Sequence, residues 1–142
     1  MNLPKFFENL SKEEKYNQAM NKGRTFLGNQ KLNLAISEFL KAASYSLADL
    51  FEVHYRLGQA YYFQKQYSNA VDHLKVATEN NPIHGDALYL YGLTLFTQLN
   101  FEKAKEVFQT PTKKKIEFQR YQEKDFQKNV VIIERILKST QK

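Results

Sequence analysis

Three histidines, His54, His73 and His84, have the widest chemical repertoire of any side chains in this 142-residue chain. Metal ligation would need two imidazoles on one helical turn, or an imidazole among carboxylates. The intervals here are 19 and 11 residues, so no metal ligands are expected. There is no cysteine, which excludes disulfides and thiolate zinc sites and permits a reducing compartment. The carboxylates are scattered, with no pair on an apolar face, and neither a glycine-rich phosphate loop nor a nucleophile elbow is present. The chemistry expected is therefore not catalytic: no catalytic residue, no cofactor and no small-molecule substrate.

Charge offers the next candidate. The formal net charge is +6, and it is uneven: residues 1–112 hold 12 Lys/Arg against 11 Asp/Glu, residues 113–142 hold 9 against 4. Lys113-Lys114-Lys115, with Arg120, Lys124 and Lys128, is the cluster that could contact phosphates by counterion release. Glu117, Glu123 and Asp125 interrupt it, and a charge run is ordinarily a solvated helix face. Nucleic acid, bound through this basic tail, is the competing class of partner and the less favoured one.

The elements that must position these residues are helical. Only five Gly and three Pro occur, and Ala, Leu, Lys, Glu and Gln are plentiful, a bias toward helix. The first ten residues lack the apolar core of a secretory signal. No run approaches the roughly 18 apolar residues of a membrane span. A cytoplasmic protein without membrane insertion is the expectation.

Self-similarity organises the chain. Between Phe51 and His84, Leu57-Gly58, Tyr61, Tyr67, Ala70, Leu74, Ala77 and Pro82 take positions 7, 8, 11, 17, 20, 24, 27 and 32 of a 34-residue unit. Gly58 and Ala70 are small enough for two antiparallel helices to cross closely. Leu57, Tyr61 and Leu74 fill the space on either side, Ala77 leaves room for the next unit, and Pro82 ends the second helix. From Gly85, Tyr91-Gly92, Leu95, Phe101, Ala104 and Phe108 repeat the register until Pro111 breaks it. From Tyr16, Gly23, Phe26, Leu32, Ala35, Phe39 and Ala42 repeat it again, with Lys22 and Leu47 as departures. This pattern closely resembles the tetratricopeptide repeat. The resemblance implies an all-α fold, a right-handed α-solenoid of three helix-turn-helix units with a long C-terminal helix, in one domain over 1–142.

The repeats are expected at about 16–50, 51–84 and 85–110. The helices are expected at 12–28, 31–46, 51–64, 67–80, 84–98 and 101–109. Ser11-x-x-Glu14 reads as a capping box opening the first, with Leu10 able to pack back on that turn. Thr110-Pro111 suits the start of a last helix around 112–138. Phe126, Val130, Ile133 and Leu137 form a single stripe on it, widened by Val131, Ile132 and Ile136. That helix is expected to cap the third repeat. The alternative is a self-association surface that makes the chain a homo-oligomerising assembly factor.

In solenoids of this family, positions 2, 5, 6, 9, 12 and 13 of each first helix line a concave groove. The resemblance carries these positions to Glu52, Tyr55, Arg56, Gln59, Tyr62 and Phe63, to Asp86, Tyr89, Leu90, Leu93, Phe96 and Thr97, and to Asn17, Met20, Asn21, Arg24, Leu27 and Gly28. Aromatic anchors bury large area at low entropic cost, and two arginines can meet an acidic group. The candidate peptide-binding residues are Arg24, Tyr55, Arg56, Gln59, Tyr62, Phe63, Tyr89, Leu93 and Phe96. They imply a non-enzymatic adaptor, scaffold or chaperone-like module holding a peptide or helix of another protein, unless the chain's own last helix or a second copy fills the groove. Relatives that capture a chaperone's C-terminal carboxylate carry Lys, Asn and Arg where this chain has Met20, Arg24, Arg56, Asp86 and Leu90, which disfavours that specialisation. Bacterial secretion chaperones resemble the layout only.

Overall fold

The computed structural model describes residues 11–45 and 49–141. Seven α-helices are present among them: α1 Lys12–Gly28, α2 Leu32–Ala43, α3 Leu50–Phe63, α4 Tyr67–Asn80, α5 Gly85–Thr97, α6 Phe101–Phe108 and α7 Glu123–Thr140, with a 3₁₀ turn at Thr110–Thr112. The helices pair in sequence as α1–α2, α3–α4 and α5–α6, and each second helix packs on the next first helix. First helices also meet one another directly, α1 with α3 and α3 with α5, which builds an inner layer. The result is an α-solenoid of three hairpins with α7 packed on α6.

Each hairpin closes on the same exchange of volume. The glycine at position 8 faces the large side chain at position 24: Gly23 meets Phe39, Gly58 meets Leu74 and Gly92 meets Phe108. A Cβ on Gly58 would lie 2.5 Å from Leu74 Cδ2, so only the missing side chain lets the helices approach. Phe39, Leu74, Phe108 and the small Ala35, Ala70 and Ala104 are all buried.

The first helix of every hairpin also stops in the same way. The Gln30 N–H donates to the Leu27 carbonyl and the Lys31 N–H to the Phe26 carbonyl; Lys65 and Gln66, then Leu99 and Asn100, repeat both bonds. This is a paired C-terminal cap whose first residue must be left-handed. Here that residue is never glycine, and φ is +61° at Gln30, +62° at Lys65 and +64° at Leu99. Ser11 caps α1, its Oγ accepting from the Glu14 N–H while Glu14 Oε2 accepts from the Ser11 N–H, both at 3.1 Å. The packing expected of Leu10 and the departure at Leu47 lie outside the described residues.

The C-terminal part departs from the expectation of one helix over 112–138. After the 3₁₀ turn the chain is irregular, pairing at Glu117 and bending over 119–121, and α7 begins only at Glu123. Ile116 is buried and Phe118 half-buried, while Glu117 and Gln119 are exposed. That alternation has the period of a strand and not of a helix. Glu117 forms a parallel bridge with His84: the Glu117 N–H donates to the Ile83 carbonyl at 2.8 Å and the Gly85 N–H to the Glu117 carbonyl at 2.9 Å. These long-range bonds outweigh what helix formation would return through three adjacent lysines. Asp125 then starts α7 by accepting the Gln122 N–H at 2.8 Å.

Candidate peptide-binding face

The inner layer places the nine candidate residues in three different situations. Arg24 from α1 and Arg56 from α3 converge on Glu52: Arg24 Nη1 lies 3.2 Å and Arg56 Nε 3.0 Å from the same Oε1. Arg56 Nη1 also donates to Gln59 Oε1 at 3.0 Å, and its guanidinium sits 5.5 Å from the Tyr55 ring centre. The two cations thus share one internal carboxylate and present a net charge of one. A sequence reading alone left both free for an acidic ligand.

Tyr55 lies under the face rather than on it. It is 9% exposed, stacked on Phe51 at 5.5 Å and tilted against His84 at 5.2 Å. Burial, reinforced by the Asp86 carboxylate, pushes its hydroxyl up to about 12. Its accessible surface is too small for it to act as an anchor.

Tyr89 is covered by the chain itself. Tyr121 stacks on it with ring centres 3.8 Å apart and planes 12° off parallel. Phe108 and Phe126 meet the Tyr89 ring edge-on at 5.5 and 5.4 Å, and Asn129 Nδ2 donates to its hydroxyl at 3.0 Å. The occupants of this part of the face are the segment before α7, through Tyr121, and the first turns of α7, through Phe126 and Asn129. Asp86, on the same wall, accepts the Arg120 and Tyr121 N–H groups at 3.0 and 3.2 Å.

Of the remaining candidates, Phe63 is exposed, while Tyr62, Leu93 and Phe96 are half-buried against the core that also holds Ile133 of α7. Tyr62 is half-buried between Phe63 and Tyr67, edge-on to both. Burial raises its hydroxyl, with Tyr67, Tyr121 and Tyr89 adding to the effect. Phe63 is 59% exposed and borders a recess of about 470 Å³ with Leu27, Gly28, Gln30 and Leu32. Phe96 leans edge-on against Phe101 at 5.4 Å, and Leu93 packs at the margin of the core. Tyr62 and Phe63 thus end α3 with an aromatic pair, and Phe96 stands near the end of α5.

Two further groupings were invisible in the linear order. Tyr121, Ile116 and Gly85 belong to the face, and the Ile116/Phe118 alternation was the only local sign of it. His54 and His73, 19 residues apart, come together with Nδ1 atoms 2.9 Å from each other, and Tyr61 stacks on His73 at 5.4 Å. Burial lowers both imidazoles, His54 adding to the effect on His73. One ring donates and the other accepts. No group of three His, Cys, Asp or Glu suited to a metal occurs among the described residues.

α7 behaves as a cap. Phe126 and Ile133 are fully buried, and Lys105 of α6 pairs with Glu134 at 3.4 Å. Val131 and Ile132, which widened the predicted stripe, face outward.

The model of the tetratricopeptide repeat matches residues 20–82 and again 55–110, together more than half of the chain. The chain belongs to the tetratricopeptide repeat family. Repeats of this family are protein-interaction modules whose stacked helices offer extended concave surfaces. Among solved structures, the chain resembles the C-terminal TPR-containing domain of an FK506-binding protein of Plasmodium falciparum, with a TM-score of 0.70 at 18% identity, covering 94% of this chain and 97% of that one. It also resembles the Sgt2 TPR domain of Aspergillus fumigatus, with a TM-score of 0.70 at 16% identity, covering 89% and 81%. At these identities the likeness is one of fold. No curated protein sequence matches the chain.

Proposed function

We propose that this tetratricopeptide domain is a non-enzymatic adaptor or chaperone-like module that holds a segment of a partner protein on the uncovered half of its inner face. The observation that carries the reading is Phe63, paired with Tyr62 at the end of the helix whose start carries the Arg24–Glu52–Arg56 cluster. Phe63 leaves 59% of its surface in water next to an open recess, and aromatic anchors next to cations dominate binding energy at protein interfaces. Among the described residues no helix is long and apolar enough to cross a membrane.

Phe63→Ala tests the reading better than any change at Tyr55, because Phe63 can be removed without opening the core. The variant is expected to keep the wild-type ellipticity and melting temperature and to lose at least tenfold in partner affinity. A photo-crosslinker placed at Phe63 should attach to that partner, and one at Leu40, exposed on α2, should not. Undiminished capture by Phe63→Ala, or equal crosslinking from both sites, would sink the assignment.

A further inference from the structure

The segment Ile116–Tyr121 is seated on the third repeat as a ligand would be. The first turn of α5 has amide groups that the helix cannot satisfy internally. The segment fills two of these needs: the Gly85 N–H donates to the Glu117 carbonyl at 2.9 Å and the Asp86 N–H to Gln119 Oε1 at 3.1 Å. In return the Ile83 carbonyl accepts the Glu117 N–H, and Asp86 Oδ1 accepts those of Arg120 and Tyr121. Gly85 makes the approach possible, since a Cβ there would lie 2.8 Å from the Glu117 carbonyl oxygen and 3.2 Å from Phe118 Cα. Besides Gln119, side chains contribute at three points: Ile116 is buried, Phe118 meets Phe126 edge-on at 5.8 Å, and Tyr121 stacks on Tyr89.

We propose that the start of α5 and the Tyr89 ring form a peptide seat which the chain fills in cis, and that a partner enters by replacing the segment. The partner chemistry is the one the segment displays: a chain extended over its first three residues and then bent, with an aliphatic residue, an aromatic two positions on, an amide side chain beside that, and a second aromatic two positions after the amide. The segment's main chain supplies four of the hydrogen bonds, two of them through Glu117 in the manner of an added strand. Replacement is local. The segment is tethered by the 3₁₀ turn on one side and by α7 on the other, and α7 is held to α6 through Phe126 and Ile133. The seat can therefore empty while the cap stays in place. This inference rests on the reading of the inner face as a polypeptide-binding surface and extends it to the covered half.

A tethered segment competes at an effective concentration on the order of millimolar, so weakening it must raise the apparent affinity of a free peptide. The probe is a fluorescein-labelled synthetic peptide of the chain's own sequence, KKKIEFQRYQ, titrated by anisotropy against the full chain. Tyr121→Ala removes the stack, and Glu117→Pro removes the N–H given to Ile83; neither alters the seat. Each is expected to bind the probe at least tenfold more tightly than the wild type. Adding Tyr89→Ala to Tyr121→Ala should abolish the gain. If both releasing variants bind no more tightly than the wild type, the inference is overturned. If they dimerise in sedimentation and do not take up the peptide, the seat belongs to a second copy's segment and the partner reading is overturned. Because the probe reads the seat directly, intact partner capture through Phe63 alongside a failed titration condemns this inference alone.

Discussion

Phe126→Ala is the perturbation with the widest consequences at the C-terminal end of the solenoid. Phe126 is fully buried. Its ring meets Phe108 of α6 at 6.0 Å, Tyr89 of α5 at 5.4 Å and Phe118 of the extended segment at 5.8 Å. It is thus the side chain common to the cap, the last repeat and the segment. Truncating a buried phenylalanine costs about 3–5 kcal/mol, transfer and cavity terms together. A whole domain of this size has only about 5–15 kcal/mol. In a solenoid each unit contacts its neighbours alone, so the loss stays near the end where it is made. The result expected is local opening of α7 and the segment, with α1 to α3 intact. Amide hydrogen exchange reads this directly. Protection of the Gly85 and Glu117 amides and of the α7 core should fall by about a hundred- to several-thousand-fold, at about 1.4 kcal/mol per factor of ten. Exchange in α1 and in the first half of α3 should change less than about threefold. A fall under tenfold at Glu117, or an equal fall in every helix, would refute the reasoning.

Three other outcomes follow from particular atoms. Gly58→Ala forces a methyl to within 2.5 Å of Leu74 Cδ2 and should destabilise the middle repeat by about 1–3 kcal/mol in a urea melt. Leu99→Gly relieves a left-handed residue at φ +64° whose side chain is 71% exposed, and should stabilise the chain by roughly 1 kcal/mol. Acidification should destabilise the protein through His54 and His73, whose imidazoles burial holds below the ordinary 6.5. The unfolded chain then takes up protons at higher pH than the native one. Their contribution is therefore full above 6.5 and declines as pH falls below it. Urea midpoints between about pH 8 and about pH 5 should show the decline, and His73→Gln should flatten it.

By itself the sequence determined the repeat. The register of small and large residues at positions 8, 20 and 24 is local, and each pair it predicts, Gly58 with Leu74 or Gly92 with Phe108, is a contact within one hairpin. The start of α1 was legible for the same reason, since Ser11 and Glu14 satisfy each other three residues apart. Stacking of units follows from such hairpins because none can bury its apolar face alone. The face itself was only half legible. Family positions named Tyr55, Tyr62, Phe63 and Tyr89, but which of them remain open depends on partners distant in the chain. Glu52 is 28 residues from Arg24 and neutralises part of the arginine pair. Tyr121 lies 32 residues from Tyr89 and covers it. Thr110-Pro111 as a helix start and the stripe from Phe126 onward read 112–122 as helix, and nothing near those residues opposed that reading strongly. The decision was made elsewhere, by a glycine at the start of α5, the free amides behind it and the Asp86 carboxylate. A backbone that can satisfy its hydrogen bonds across the fold has no need to satisfy them within its own turn, and only the tertiary structure shows which of the two was available.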